Sequence, residues 1–367
     1  MLDDPIDGVM ILAPTNTQTR RLGYLTQICK MLRDEAYPVL NLVKDLESWA
    51  FANQESLTNH ISDKGVIRPS STSLAAKRYV KLAQDLELVI EGSGYLRPTK
   101  TGRVLLALNE ECTDNSSSDN LFRLTSKERL LLTYEMLLLD SDYLLPILEL
   151  TTRCHKQLEI QEQTQNALLK HLEILESHAP SQSVRSDASN RVSTLMAWKK
   201  PKKYSEHLVL PRLHWLLDLE LLNWDTFRSK KEFTPSTSGN LLLKALPLID
   251  GHRFTNRRWC QNNLFSVWAD LLRVDFLQWS NVPVAKQDRL IKEHVKKGFS
   301  YFRTMEYRRV SAYQLVLFTV IRLLLCEKIA AGFEDIKQAL SAHTDSSSRE
   351  WVFYWTAMDD DGYLLLS

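Results

Sequence analysis

The hydrophobic positions of this chain recur mostly at the spacing of an α-helix. In the segment 126–139, Leu130, Leu131, Tyr134, Leu137 and Leu138 form one apolar stripe. The segment 263–279 repeats this pattern with apolar residues that would share one face, namely Leu264, Trp268, Leu271, Leu272 and Phe276. Residues spaced by three and four positions lie on the same side of a helix. The pattern therefore predicts a mainly α-helical protein.

Three polar stretches separate these helical patterns. They are rich in Ser, Asp and Asn and comprise residues 112–120, 177–190 and 342–349. Such stretches contain few side chains that can join a core, and we expect each to be a solvated loop.

One segment of the chain occurs twice in a recognisable form. Residues 85–108 and 218–246 both begin with Asp-Leu-Glu-Leu, pass through a turn-rich stretch and reach a proline, Pro98 or Pro235. A glycine follows each proline four residues later, at Gly102 and Gly239. An internal match of this length and order predicts a repeated structural unit.

Each copy has a direct local interpretation. A helix ends near Leu86 or Leu219, and a hairpin follows with strands at 89–91 and 95–97 in the first copy and at 222–225 and 232–234 in the second. Gly92 and Gly94 suit the first turn, because glycine adopts positive φ without steric cost. A new helix then begins, for which the hydroxyl groups of Thr101 and Ser238 are the predicted N-caps.

The stretch Tyr95–Arg103, YLRPTKTGR, resembles the end of the wing in winged helix-turn-helix proteins. Helices predicted at 39–49, 55–62 and 71–86 precede this wing in the order that the family shows. The resemblance implies a mainly α fold of tandem winged-helix modules, with small β-hairpin wings, joined by helical segments. It also implies that the helix 71–86 is the one that enters the DNA major groove.

The remaining copies depart from the first. The third helix of the second copy, predicted at 204–222, contains Pro211, which should start or kink it. Its expected exposed residues are Glu206, His207, Arg212 and His214, and Lys199, Lys200, Lys202 and Lys203 lie just before it. An incomplete third copy is predicted from helices at 333–340 and 349–358 and a strand at 362–366.

These copies predict three domains. An N-terminal winged-helix domain comprises residues 1–111, and a second, diverged winged-helix domain with long helices comprises residues 121–250. A basic helical C-terminal domain comprises residues 251–367 and contains the incomplete third copy.

The first copy carries the principal candidate nucleic-acid site. Lys77, Arg78 and Lys81 are predicted on the exposed face of the helix, opposite Leu74, Val80, Ala83 and Leu86, with Ser71 and Thr72 at its start. Such side chains contact phosphates and base edges in DNA complexes. Arg97, Lys100 and Arg103 around the wing would add backbone contacts. The alternative is that these cations only solvate an amphipathic helix.

A second basic region lies between residues 253 and 309 and has a net charge of +7. Its candidate phosphate contacts are Arg257, Arg258, Lys296 and Lys297. Aromatic residues are interleaved with these cations and could stack on bases, as in single-strand binders. They are Phe254, Trp259, Phe299, Tyr301, Phe302 and Tyr307. Their helical spacing favours the alternative that they belong to the core.

Acidic residues gather elsewhere, at 359–361 and at Asp140, Asp142 and Glu149. They would repel phosphate and suit a protein partner or a second copy of the chain. The overall net charge is only +1, so charge alone selects no partner.

The motifs that would indicate an enzyme are absent from the sequence. There is no G-x-x-x-x-G-K-[ST], G-x-G-x-x-G, H-E-x-x-H or G-x-S-x-G. The five cysteines are too far apart for a zinc knuckle or a disulfide framework. We therefore expect no cofactor, no metal, no membrane segment and no small-molecule substrate, in a reduced cytoplasmic protein. A nuclease with scattered ligands remains an alternative.

The sequence favours non-covalent binding of double-stranded DNA through Lys and Arg contacts with phosphate, with an affinity that falls as salt rises. The alternative is an interaction scaffold, a subunit of a multi-protein assembly in DNA processing, genome maintenance or defence. Winged helices serve both purposes, and the fold alone does not choose between them.

Overall fold

The computed structural model describes residues 6–12, 15–33, 35–58, 64–111, 120–227, 230–272, 275–303, 308–344, 350–356 and 360–366. The described residues are mainly helical, with small antiparallel sheets and one short parallel strand pair. The helices are α1 (Gly23–Leu32), α2 (Val39–Ala52), α3 (Gln54–Thr58), α4 (Leu74–Asp85), α5 (Lys100–Glu111), α6 (Ser126–Leu139), α7 (Ser141–Leu150), α8 (Gln157–Ser177), α9 (Gln182–Met196), α10 (Pro201–Asp218), α11 (Thr237–Ala245), α12 (Arg257–Leu271), α13 (Val284–Phe302), α14 (Ala312–Glu327) and α15 (Phe333–Thr344). The strands are β1 (Tyr37–Pro38), β2 (Val89–Gly92), β3 (Tyr95–Pro98), β4 (Leu222–Phe227), β5 (Lys230–Pro235), β6 (Leu248–Ile249), β7 (His252–Arg253), β8 (Leu277–Gln278), β9 (Arg309–Ser311), β10 (Ile329–Ala330), β11 (Trp351–Thr356) and β12 (Asp361–Leu366).

Three parts of the chain share one order of elements. We call them unit one (residues 23–102), unit two (141–239) and unit three (284–366). In unit one, α1, β1, α2 and α4 lead into the hairpin β2–β3, with the short helix α3 between α2 and α4, and β1 pairs with β3. In unit three, α13, β9, α14 and α15 lead into the hairpin β11–β12, with the short strand β10 between α14 and α15, and β9 pairs with β12. Both three-stranded sheets therefore place the earliest strand beside the last.

Unit two follows the same order in a reduced form. Helices α7, α8 and α10 lead into the hairpin β4–β5, and α9 is inserted before α10. The counterpart of β1 is a single bridge, in which Lys156 pairs with Glu232. One apolar core continues from α1 to β12 and joins all three units.

The repeated segment has the same hydrogen bonds in units one and two. The amide of Thr99 donates to the carbonyl of Leu88 at 3.0 Å, and the amide of Ser236 donates to that of Leu221 at the same distance. Glu87 and Glu220 both have positive φ, at 51° and 57°. A Cβ at Gly102 or Gly239 would lie 2.1 Å from the carbonyl oxygen of Leu88 or Leu221. The two junctions are therefore built alike, down to the close approach that requires glycine.

The predicted hairpin strands agree with β2 to β5, but the predicted caps are wrong. Thr99 and Ser236, two residues before the predicted positions, accept the hydrogen bonds from the amides of Gly102 and Gly239, at 3.1 and 3.0 Å. Both helices start earlier than their apolar residues suggest. The turn residues Arg228 and Ser229 lie outside the described residues.

The prediction for the third copy is wrong in its details. The segment 349–358 was expected to be a helix, but Trp351–Thr356 is the strand β11. Trp351 and Phe353 are buried, Val352 between them is half-buried, and Tyr354 after them is exposed. Burial at every second residue is the alternation of a strand. The predicted second helix is the third in order, since α15 directly precedes the hairpin, and the predicted first strand is β12, the last.

Three other expectations need correction. The polar stretch 177–190 is largely helical, because Ser181 caps α9 and three apolar residues of this helix, Ala188, Val192 and Leu195, are buried. The helix predicted at 263–279 ends at Leu271, before the short strand β8. Helix α10 begins at Pro201 and continues through Pro211. Residues 112–119 and 345–349 lie outside the described residues.

Candidate interaction surface

Helix α4 buries one side against the rest of unit one and exposes the other side. Its buried residues are Ala76, Tyr79, Val80, Leu82 and Ala83. Leu74, which the sequence predicts on this buried side, is the first residue of α4 and is 45% exposed. Lys77 and Lys81 are exposed, as the sequence predicts.

Two of the three α4 cations have side-chain partners. Nη1 of Arg78, which is half-buried, donates to Asn16 Oδ1 at 2.8 Å and to Gln18 Oε1 at 2.7 Å. Lys81 forms an ion pair with Asp85 one turn later, at 2.6 Å. Arg78 therefore fastens the N-terminal residues to α4, whereas Lys77 forms no ion pair with any described residue.

The outer face of the first hairpin carries apolar side chains around one cation. Ile90 lies opposite Arg97 across the hairpin, and Pro38 lies opposite Tyr95 in the neighbouring strand pair. Ile90 is 60% exposed and Tyr95 is 47% exposed. Ser71 and Thr72, before α4, are exposed as well.

The predicted cations after the hairpin lie at a contact with unit three. Lys100 forms an ion pair with Asp361, and the guanidinium of Arg103 donates to the carbonyl of Tyr301 at 3.0 Å. Asp361 also accepts hydrogen bonds from the hydroxyl of Ser311 and the amide of Tyr313, both at 2.9 Å. Burial alone would raise the pKa of Asp361, but the hydrogen bonds from Lys100 and Tyr313 lower it.

The four candidates in the basic region lie on two helices. Arg257, at the start of α12, forms an ion pair with Asp360 at 3.2 Å, and Arg258 beside it is exposed. On α13, Lys296 is exposed, and Lys297 forms an ion pair with Glu293 at 3.3 Å.

The aromatic residues of this region that the structure describes are largely internal. Phe254, Phe299 and Phe302 are buried, so the core interpretation is confirmed for them. Trp259 and Tyr301 pack partly against the core. Tyr307 lies outside the described residues.

The acidic residues expected on a partner surface are mostly used inside the molecule. Asp140 accepts two hydrogen bonds from the guanidinium of Arg212, and Asp142 contacts the ring of His171 at 2.9 Å. Asp360 and Asp361 neutralise Arg257 and Lys100. Asp359 lies outside the described residues.

The expected exposure of α10 is wrong for two of its four residues. Arg212 and His214 are buried, while Glu206 is exposed and His207 is half-buried. The N-terminal segment covers this helix, since Leu12 accepts a hydrogen bond from Arg212 and Thr19 accepts one from the indole of Trp215.

A cleft that the sequence analysis did not anticipate lies between the first hairpin, α6, α12 and the third hairpin. It has a volume of about 530 Å³, and Glu135 of α6 stands in its wall. Burial raises the pKa of Glu135 to about 8. The available signal was a single carboxylate in the otherwise uncharged run LLLTYEMLLL.

The described residues give little sign of other chemistry. They contain no cluster of three or more His, Cys, Asp or Glu that could hold a metal ion. Cys29, Cys154 and Cys260 form no disulfide bond with any described residue. Within the described ranges, every helix is too short or too polar to cross a lipid bilayer.

Comparison with known proteins finds no matching family model, no similar curated protein and no similar solved structure.

Proposed function

We propose that the chain is a fusion of three winged-helix modules, corresponding to units one to three, that acts as an interaction subunit and binds a partner protein through unit one. The shared order of elements supports the modules. So does the pairing of the earliest strand with the last strand of each hairpin in units one and three.

The observation that carries this function is the apolar outer surface of unit one. Five large side chains of this unit are between 45% and 68% exposed, namely Leu40, Phe51, Leu74, Ile90 and Tyr95. Exposed apolar residues that recur in one region are typical of protein interfaces. The register supports one patch at the hairpin, because Tyr95 lies beside Pro38 and the amide of Val39 donates to Gly94.

The charges around this surface suggest the chemistry of the partner. Lys77 and Arg97 are exposed in unit one and form no ion pair with any described residue. They would attract an acidic group at the edge of the apolar contact. The partner is therefore expected to present an apolar segment flanked by Asp or Glu.

Binding of double-stranded DNA is the second candidate. It is favoured by the exposed start of α4, where Ser71, Thr72 and Lys77 accompany Arg97 of the hairpin. Against it, four predicted cations, Lys81, Lys100, Lys297 and Arg257, are paired with carboxylates, and Arg78 is held by Asn16 and Gln18. Of the cations predicted in unit one, this leaves Lys77 and Arg97 to contact phosphate.

The test is capture of the tagged chain with its partner from the native host, followed by reconstitution from purified proteins. The double variant Ile90→Ser, Tyr95→Ser should weaken the reconstituted complex at least tenfold. A matched control, Val284→Ser, alters an apolar residue of unit three that is 71% exposed and should leave binding unchanged. Equal binding by both variants would remove unit one as the docking surface.

A gel-retardation assay with duplex DNA at low salt tests the second candidate. Lys77→Glu combined with Arg97→Glu should abolish retardation if DNA is bound, since each cation that contacts phosphate releases counterions. These two positions are chosen because Arg78 also fastens the N-terminal segment. Retardation that survives this double variant, or none by the wild type, would exclude DNA binding through this surface.

A further inference from the structure

The cleft beside Glu135 is lined by both charged and apolar side chains. Its acids are Glu87, Glu135, Asp360 and Asp361, and its cations are Lys100 and Arg257. Lys100 pairs with Asp361 and Arg257 pairs with Asp360. Two carboxyl groups, those of Glu87 and Glu135, thus face the cleft without an ion-pair partner among the described residues.

Glu135 is the more unusual of these two acids. Its side chain is almost completely buried, with 3% of the residue exposed. Among the described residues, its Oε1 atom has no hydrogen-bond partner. A buried polar atom without a partner is unfavourable, so a donor that enters the cleft would find an unoccupied acceptor there.

The rest of the lining suits an aliphatic chain. Val89, Ile90, Leu138 and Leu139 provide apolar walls, and the hydroxyl groups of Thr99 and Thr101 lie among them. Methylene groups can rest on such walls while a terminal cation reaches a carboxylate.

We propose that this cleft binds a primary ammonium group at the end of an aliphatic chain, with the ammonium held by Glu135 and Glu87 and the methylene groups packed on the apolar wall. The ligand can be a free diamine or a lysine side chain of another protein. The second source rests on the proposed interaction function, whereas the first does not.

The ionisation of Glu135 gives the site a pH dependence. The groups that face it are Glu87, Lys100, Arg257, Tyr313, Asp360 and Asp361, with Tyr134 behind Tyr313. The pKa of Glu135 is raised to about 8, chiefly by burial and also by the charge of Glu87, while a hydrogen bond with Thr101 and the charge of Arg257 oppose the shift. Near neutral pH, an ammonium ion would bind the ionised form and displace the proton to the buffer.

The test is titration calorimetry of the full chain at pH 8 with two probes, 1,5-diaminopentane and Nα-acetyl-L-lysine amide. Glu135→Gln should weaken binding at least tenfold, and Glu87→Gln several-fold. The matched control is Glu149→Gln, which alters a half-buried acid of α7 that lies beside Arg253. This variant should bind the probes as the wild type does. 1-Pentanol, which lacks the charge, should not bind.

The pH series adds a readout that belongs to Glu135. Between pH 6 and pH 8 the affinity of the wild type should rise about 50-fold, because the ionised fraction of a group with a pKa of about 8 rises by that factor. Glu135→Gln should lose this rise. Buffers of different ionisation enthalpy should report the release of about one proton at pH 7.

Each outcome decides the proposal. Binding of the diamine alone identifies a free polyamine as the ligand, and binding of the lysine amide identifies a lysine side chain. If neither probe binds detectably at a concentration of about 10 mM, the Kd lies above the millimolar range and the proposal is overturned. Equal binding by Glu87→Gln and the wild type does so too, even if Glu135→Gln fails to fold.

Discussion

Helix α4 of unit one and helix α10 of unit two each precede a hairpin junction of the same construction. Helix α4 is exposed on its outer side, whereas α10 is covered by the N-terminal segment. In both units a positive φ, a close glycine and a hydroxyl cap close the junction. On α4, Lys77 and Lys81 are exposed, whereas Arg212 and His214 of α10 are buried.

The difference lies outside the repeated segment. The N-terminal segment passes over α10, where Asp140 and Arg212 hold it through the amide and the carbonyl of Leu12. Asp218 at the end of α10 binds both Arg21 and the amide of Leu22. The junction therefore determines the local fold, while the contacts of residues 10–22 determine which helix is left for an external partner.

Removal of the Arg212 side chain should have the largest effect. Arg212→Ala leaves Asp140 buried without its partner, and loss of one member of a buried ion pair costs about 3–5 kcal/mol. Urea unfolding should show this loss. Lys202→Ala, which alters an exposed pair with Glu162, should change the free energy of unfolding by less than about 0.5 kcal/mol. A small effect of Arg212→Ala would show that the N-terminal segment is not held in this way.

Glu135 contrasts with the paired acids of unit two, and its effect depends on pH. Its pKa is raised from 4.5 to about 8 in the folded chain. Its contribution to stability is therefore fully present below about pH 4.5 and is lost as the pH rises through about 8. Each pKa unit corresponds to about 1.4 kcal/mol, so the loss should reach a few kcal/mol.

Unfolding of the wild type and of Glu135→Gln should be compared at pH 5 and pH 9. We expect the variant to gain stability relative to the wild type as the pH rises, because glutamine does not ionise. If the difference in unfolding free energy between the variant and the wild type were the same at both pH values, the Glu135 carboxyl could not have a raised pKa in the folded chain.

The glycines test whether the two junctions are equivalent. Gly102→Ala and Gly239→Ala each push a Cβ towards a carbonyl oxygen, and such overpacking costs about 1–3 kcal/mol. We expect similar losses in thermal or urea unfolding. Gly92→Ala is the control, since its Cβ would meet no atom within 4 Å. A loss at only one of the two positions would separate the junctions.

The sequence predicts the parts of the fold that depend on neighbouring residues. The spacing of Pro98 and Gly102, and its repetition at Pro235 and Gly239, indicates both hairpins and the helices after them. The third hairpin was missed because β11 has six residues, too few for periodicity to distinguish a strand from a helix.

The candidate surface was less predictable because charge pairing joins distant residues. Lys100 and Asp361 are 261 positions apart, and Arg212 meets Leu12 across 200 positions. Local patterns contain no information about such contacts. The sequence therefore predicts surface positions correctly for Lys77 and Arg97 and wrongly for Arg212.

The cap hydroxyls make the smallest and most specific comparison. Thr99 and Ser236 each accept a hydrogen bond from a helix amide and donate one to a glutamate carbonyl, that of Glu87 or Glu220. Thr99→Ala and Ser236→Ala should each cost about 1 kcal/mol in urea unfolding, with the larger loss at Ser236, which is more buried. Ser238→Ala, at the position that the sequence favoured, should cost less than about 0.5 kcal/mol. If Ser238→Ala were the costlier change in unit two, the cap would be where the apolar pattern indicates, and the two junctions would no longer be built alike.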